Sequence, residues 1–101
     1  MSSLRQKMIE DLRVRNYSPR TLDTYVRCVA AFARHFSRSP SELGAEHVRQ
    51  WQVHLVEEKR ASASARNQHA AALRFLYSVT LDRKISVEQI PYARPGKKLP
   101  V

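Results

Sequence analysis

The stretch from Ser18 to Phe36 has the pattern of one long amphipathic helix, and it constrains the fold more than any other part of the chain. Ser18 is a good N-cap residue, and Pro19 suits the first helical position, where a missing N–H costs nothing. At about 100° per residue the apolar side chains fall on one side. They are Leu22, Tyr25, Val26, Val29, Phe32, Ala33 and Phe36. The pattern predicts a helix that buries this side in a core.

A second row of side chains lies on the opposite side of this helix. It consists of Arg20, Thr24, Arg27, Ala31, Arg34 and Arg38. A helix face that is only solvated usually mixes acids and bases, because i,i+4 ion pairs stabilise it. The row contains no acid. The row therefore favours a helix face that contacts phosphates. The alternative interpretation is a core helix whose opposite face is only exposed to solvent.

Composition favours one helical domain with a polyanionic partner. The chain has 101 residues, 43% of them hydrophobic, which is enough for a modest core, and its two glycines are few for an all-β fold. Lysine and arginine number 18 against nine acids, giving a net charge of +9. Arginine outnumbers lysine by 13 to five, which suits bidentate contacts with phosphate or guanine, but RNA-binding proteins share this bias.

Three further helices are predicted from helical spacing and capping residues. The first covers residues 3–15, and the third runs from about Ala45 to Lys59. The fourth begins at Ser62 or Ser64 and reaches about Leu81. A short 3₁₀ turn is expected before the third helix, followed by a core leucine, Leu43. The expected buried stripe of the third helix is Val48, Trp51, Gln52, Leu55 and Val56.

The first two turns of the fourth helix carry short polar or forked side chains without a carboxylate. They are Ser62, Ser64, Arg66, Asn67, Gln68 and His69. Such side chains read base edges and bind phosphates near a helix amino terminus, whereas a small-residue surface packed on a neighbour is the alternative. His69 falls on the core side and is expected to pack. Arg74 falls on the exposed flank, within reach of a phosphate.

The sequence contains no recognisable catalytic or metal-binding constellation. The single cysteine, Cys28, rules out an internal disulfide and a cysteine-based zinc cluster, and we expect it to pack. The four histidines are not at ligand spacing with carboxylates or cysteines, and no glycine loop suits a phosphate. Without a signal peptide or a long apolar run, we expect a cytoplasmic protein that binds rather than reacts, with no cofactor, metal or membrane span.

Residues 91–101 differ from the rest of the chain. They contain three prolines and three basic residues and have no helical period, which predicts an extended arm or linker. We therefore divide the chain into a helical domain, 1–90, with one further turn at Val87 to Ile90, and a basic linker, 91–101. The apolar Leu99-Pro100-Val101 end indicates that the chain was cut from a longer protein.

Several of these motifs follow one another in the order found in one family. They are Tyr-Ser-Pro-Arg-Thr-Leu from Tyr17, then Tyr25, Phe32, Leu43, Ser64 and Asn67, Leu-Arg-Phe-Leu-Tyr from Leu73, Pro91, and Lys-Lys-Leu-Pro from Lys97. Over nearly its whole length the chain resembles the N-terminal core-binding domain of tyrosine recombinases, the phage-integrase family. The resemblance implies an all-α fold, a compact four- to five-helix orthogonal bundle of the SAM-like class.

In that family the domain forms one half of a clamp around duplex DNA, opposite the catalytic domain. The resemblance implies that the Arg20 helix and the Ser64 helix face the major groove and that the linker crosses the DNA. The family's catalytic Arg, His-x-x-Arg, Lys and nucleophilic Tyr lie in the domain that follows. Cleavage through a phosphotyrosine therefore belongs to the parent protein, and other recombinase protomers are its expected partners on DNA.

Together, the residues and the resemblance give one set of candidate DNA-binding side chains. They are Arg20, Thr21, Thr24, Arg27, Ser62, Ser64, Arg66, Asn67, Gln68, Arg74, Lys97 and Lys98. A helical protein-interaction module and an RNA-binding domain are the alternative functions. Trp51 has no second aromatic residue beside it in the sequence, which disfavours single-strand recognition by stacking.

Overall fold

The computed structural model describes residues 3–82 and residue 90, and all regular structure in these residues is helical. The α-helices are α1 (Ser3–Val14), α2 (Pro19–Phe36), α3 (Ala45–Glu57) and α4 (Ala63–Phe75). A 3₁₀ turn, Pro40–Glu42, precedes α3, and a π-helical turn, Leu76–Thr80, continues α4. The all-α prediction is confirmed. The linker with Lys97 and Lys98, and all of the predicted last turn except Ile90, lie outside the described residues.

Helix α2 begins and ends where its sequence dictates. The Oγ atom of Ser18 accepts a 3.1 Å hydrogen bond from the N–H of Thr21, and Pro19 occupies the first turn. At the other end, Ser37 adopts the left-handed conformation with φ 55°, and its N–H bonds back to the carbonyls of Ala33 and Arg34. The predicted cap is thus confirmed, and α2 has a fixed length and register.

The core forms where α2 meets α1, α4 and the 3₁₀ turn. Trp51 is 3% exposed and Leu43 is 1% exposed, so both are core residues as predicted. The hydroxyl of the fully buried Tyr77 donates a 2.8 Å hydrogen bond to the carbonyl of Pro40, which joins the end of α4 to the 3₁₀ turn. The other large buried side chains include Met8, Leu12, Phe32, Val48, Leu55, Leu73, Leu76 and Ile90.

Aromatic contacts connect α2 with α4. Near the start of α2, the ring of Tyr25 lies 6.4 Å from that of Phe75 at the end of α4. Near the end of α2, Phe32 lies 6.1 Å from Trp51, whose ring is 5.7 Å from that of His69 in the middle of α4. The end of α4 therefore lies beside the first half of α2, and Trp51 of α3 lies between the second half of α2 and the middle of α4.

Two details of the predicted helices are wrong. Val56 was expected in the core but is 47% exposed, because α3 packs mainly against one helix, α4, and needs only the narrow stripe of Val48, Trp51 and Leu55. The α-helical hydrogen bonding of α4 ends at Phe75 rather than near Leu81. The π-helical turn continues in the same direction, so Tyr77 and its neighbours still enter the core.

Candidate nucleic-acid interface

The arginine row of α2 divides into an exposed part and a half-buried part. Arg20, Arg27, Arg34 and Arg38 are exposed, whereas Thr24 and Ala31 are half-buried. The angular spread of the row explains this, because Thr24 and Ala31 lie nearer to the buried Cys28 on the helix circumference. The cationic part of the predicted face is therefore at the surface, along the whole length of α2.

The row itself contains no acid, but one acid, Asp23, lies directly beside it on α2. Asp23 lies one turn before Arg27, and its Oδ2 atom is 3.0 Å from the Nε of that arginine. The two side chains are 61% and 80% exposed, respectively. A pair this exposed contributes little to stability, so another anion can replace the carboxylate at small cost. Arg27 thus has a partner, but a weakly held one.

The two threonines of α2 make local hydrogen bonds. The hydroxyl of Thr21 accepts from Ser18 Oγ at 3.0 Å, and that of Thr24 donates to the carbonyl of Arg20 at 3.0 Å. Both side chains are half-buried. These bonds are ordinary for threonine at a helix start and inside a helix, and they leave each hydroxyl oxygen with acceptor capacity.

The first turns of α4 combine a structural serine with a small polar surface. The Oγ of Ser62 accepts a 3.1 Å hydrogen bond from the N–H of Ala65, so Ser62 is the N-cap. Ser64, Asn67 and Gln68, together with Ala63, line one shallow depression. The first turn contains no acid, so the positive end of the helix dipole is not neutralised there by its own side chains.

The two candidate arginines of α4 both bond to backbone carbonyls. Arg66 donates from Nε to Ala61 at 3.2 Å, and Arg74 donates from Nε to Ile90 at 2.7 Å. Both side chains are half-buried, so the expectation of an exposed Arg74 is wrong. The physical reason is that the chain returns to α4 at Ile90, whose side chain is 2% exposed. Arg74 holds this returning chain against the domain.

One cation on α1 and one directly after it also hold the fold together, which sequence spacing did not indicate. The ammonium of Lys7 donates a 2.8 Å hydrogen bond to the carbonyl of Thr80, at the end of the π-helical turn. The guanidinium of Arg15 lies 5.8 Å from the ring centroid of Phe75. These contacts give α1 a structural role and leave α2 with the longer row of exposed arginines.

Cys28 and His69 pack as predicted. Burial raises the pKa of the Cys28 thiol to about 11, so the thiol is protonated at neutral pH. Burial, and secondarily the charge of Lys59, lowers the pKa of His69, so the neutral imidazole is favoured against Trp51. Cys28 is buried and His69 is half-buried on α4, so neither belongs to the row of exposed arginines on α2.

One pair of side chains was missed by the sequence analysis. His35 on α2 and His54 on α3 have ring centroids 4.4 Å apart, although 19 residues separate them in the sequence (54 − 35). Spacing within one helix cannot reveal such a pair. Within residues 3–82 and at residue 90, no group of three or more His, Cys, Asp or Glu residues is arranged to hold a metal ion. No helix in the same residues is long and apolar enough to cross a membrane.

The described residues form an all-α domain of four α-helices with exposed arginines along α2, and comparison with known proteins identifies its family. Residues 4–87 match the family model described as phage integrase, N-terminal SAM-like domain. The chain belongs to this family, which confirms the resemblance drawn from its motifs and the SAM-like fold that the resemblance implied.

Curated relatives give the same classification. The chain is 44% identical, over its full length, to a Sinorhizobium fredii protein named "Putative integrase/recombinase y4qK", and covers 33% of that protein. Over 94% of its length it is 37% identical to an Escherichia coli protein named "Integrase/recombinase", and covers 30% of it. The chain thus spans about a third of the length of these relatives.

Proposed function

We propose that this chain binds duplex DNA through α2 and the beginning of α4, as the N-terminal half of the DNA clamp of a site-specific recombinase. The observation that carries the proposal is the row of exposed arginines along α2, together with the acid-free polar start of α4, a helix that packs against α2. Membership of the phage-integrase family and similarity to proteins named integrase/recombinase support it.

The dimensions of α2 suit a groove with phosphates on both sides. Fourteen residues separate Arg20 from Arg34 (34 − 20), which corresponds to about 21 Å along the helix. The major groove is about 12 Å wide, so arginines at the two ends of α2 can reach phosphates of opposite strands. Arg27, between them, exchanges Asp23 for a phosphate. These contacts position the domain and supply affinity without reading sequence.

The beginning of α4 supplies the side chains that can read bases. The amides of Asn67 and Gln68 match the donor and acceptor edge of adenine in the major groove. Ser64 and the positive end of the α4 dipole suit a nearby phosphate. Ser62 contributes through its cap, by fixing where α4 starts. We therefore assign affinity mainly to α2 and sequence preference mainly to Asn67 and Gln68.

The catalytic step belongs, in this proposal, to a part of the protein beyond this chain. The relatives are about three times as long as the segment that matches. A parent recombinase cuts and rejoins DNA through a phosphotyrosine, and several protomers act together on one site. In this proposal the chain binds and orients the DNA. The linker residues Lys97 and Lys98 contact the DNA between this domain and the catalytic domain.

Fluorescence anisotropy of a labelled duplex tests the proposal. We expect binding at low salt with micromolar affinity or weaker at physiological salt, because an isolated half-clamp makes few contacts. Structured RNA of equal length should compete less well than duplex DNA. No binding at low salt contradicts the proposal, and stronger competition by RNA favours an RNA-binding domain instead. Light scattering of the wild type and of an Arg20→Ala/Arg27→Ala variant tests the third alternative. If the chain does not bind DNA and both proteins self-associate, a protein-interaction module is favoured.

Asn67 offers a sharper second test within the same assay. Asn67→Ala should change the ranking of duplexes of different sequence by about 1–3 kcal/mol, whereas Arg20→Ala should weaken binding to all of them alike. If both variants weaken binding to every duplex equally, the assignment of sequence preference to α4 is wrong, although the chain still binds DNA.

A further inference from the structure

The imidazole rings of His35 and His54 meet across two helices. Their centroids are 4.4 Å apart and their planes are inclined by 38°. His35 is exposed and His54 is half-buried, so solvent and small ions reach the pair. The ring of Trp51 lies 5.1 Å from that of His35 and 5.4 Å from that of His54, at the inner side of the pair. The pair therefore stands at the rim of the core with an open outer side.

The separation of the rings matches that of two imidazoles on one metal ion. A metal about 2.1 Å from a nitrogen of each ring lies about 3.2 Å from each ring centroid. A right angle at the metal then places the centroids about 4.5 Å apart, and a tetrahedral angle places them about 5.2 Å apart. The observed 4.4 Å is nearer to the right-angle value, which requires only that each ring turns one nitrogen toward the shared ion. Square-planar and tetragonal sites of this kind are typical of Cu²⁺ and Ni²⁺.

The other two histidines are engaged differently. His47 accepts a 3.0 Å hydrogen bond from the N–H of Gly44 through Nδ1, within its own helix turn. His69 is partly buried against Trp51, and its Nδ1 atom is buried without a hydrogen-bond partner in the described residues. Since no third ligand side chain is grouped with the pair in the part of the chain that the structure describes, water must complete the coordination.

We propose that His35 and His54 chelate a divalent transition-metal ion, with Cu²⁺ and Ni²⁺ as the best-fitting ions. Each imidazole donates one nitrogen lone pair to the ion, and solvent fills the remaining positions. The ion joins α2 to α3. Because α3 makes most of its backbone-level contacts with α4, such a link adds a connection between α3 and the arginine-bearing helix α2. The proposal does not depend on DNA binding.

Trp51 provides a built-in reporter for this site. It is the only tryptophan of the chain and lies beside both imidazoles, so Cu²⁺ or Ni²⁺ in the pair should quench its fluorescence. The untagged chain is titrated with NiCl₂ and, separately, CuCl₂. Ni²⁺ is the primary probe because it does not oxidise the thiol of Cys28. We expect saturable 1:1 quenching, on the order of micromolar affinity, that EDTA reverses.

Replacement of either histidine separates chelation from general quenching. His35→Gln and His54→Gln should each weaken Ni²⁺ binding by about tenfold or more, since a single imidazole loses the chelate advantage. His47→Gln is the matched control, because the glutamine oxygen can still accept from Gly44, and it should leave the affinity unchanged. Ni²⁺ should also raise the Tm of the wild type but not that of the double variant.

A measurement on the wild type keeps the test valid if a variant fails to fold. Ni²⁺ should broaden the imidazole NMR signals of His35 and His54 before those of His47 and His69. Broadening that starts at His47 or His69 overturns the proposal. So does quenching that is unchanged in a folded His35→Gln/His54→Gln variant, or the lack of saturable quenching up to about 1 mM Ni²⁺.

Discussion

The Nε atom of Arg27 lies 3.0 Å from the Oδ2 atom of Asp23, on the exposed side of α2. A duplex that approaches Arg27 must also approach this carboxylate, which repels phosphates. Asp23→Asn should therefore tighten duplex binding, by about two- to fivefold at low salt, as expected for an exposed charge. Anisotropy titrations of the variant and wild type at low and physiological salt measure the difference.

Glu57→Gln is the control for Asp23→Asn, since it removes the same charge from the exposed end of α3. It should change the affinity less. Weaker binding by Asp23→Asn, or an equal gain from both variants, contradicts the placement of α2 against the DNA.

Ser62 and Ser64 should have separable effects. Ser62→Ala removes the N-cap bond to Ala65 and should lower the free energy of unfolding by about 0.5–2 kcal/mol. Ser64→Ala leaves the cap intact, so its effect should be on duplex affinity, with little change in stability. Urea denaturation and anisotropy of both variants give the comparison. A stability loss from Ser64→Ala as large as that from Ser62→Ala would show that the two serines have the same structural role.

The bond from Tyr77 to Pro40 should contribute measurably to stability. Tyr77→Phe removes this buried bond, but the Pro40 carbonyl still accepts from the N–H of Leu43, so the variant should lose about 0.5–1.5 kcal/mol in the free energy of unfolding. Tyr17→Phe is a suitable control, because Tyr17 is 36% exposed, and should cost less. Chemical denaturation measures both. Equal losses would mean that the Tyr77 hydroxyl makes no special contribution.

Burial of His69 predicts a loss of stability in acid. Its folded-state pKa lies below the ordinary value of 6.5, because burial and then Lys59 disfavour the charged ring. The unfolded chain therefore binds the proton more readily, and linkage lowers stability as the pH falls from about 6.5 toward the folded pKa. Above that range the full stability is retained. His69→Gln should lose less stability between pH 7.5 and pH 5.5 than the wild type does, in urea melts at both pH values.

Local sequence signals predicted the helices and most of the core. The Ser18 cap, the stripe around Trp51 and the packed Cys28 follow from helical spacing and capping chemistry, which act within a few residues. The same chemistry limited the cap of α4 to Ser62 or Ser64, and the structure shows Ser62. The length of α2 follows from the same signals. The exposed Val56 was mispredicted because the width of a buried stripe depends on how many neighbours a helix has, and the pattern within α3 does not contain that information.

The candidate site was less predictable because its details depend on contacts between distant residues. The bond from Arg74 to Ile90 and the pairing of His35 with His54 form only when the helices pack. The pairing of Asp23 with Arg27 has an i,i+4 spacing in the sequence, and Asp23 lies just outside the arginine row. An acid beside a cationic row can therefore pair with it even when the row itself contains none.

The salt dependence of duplex binding tests the central claim most directly. With about five cations engaged, log K should fall against log salt with a slope near −4 to −5, and Arg20→Gln/Arg27→Gln should reduce that slope by about two. Arg49→Gln on α3 is the control, because Arg49 lies on the far side of its helix from the buried Trp51 and should leave the slope nearly unchanged. A slope that the α2 variant leaves intact, or that Arg49→Gln lowers just as much per charge, would contradict a DNA-binding face on α2.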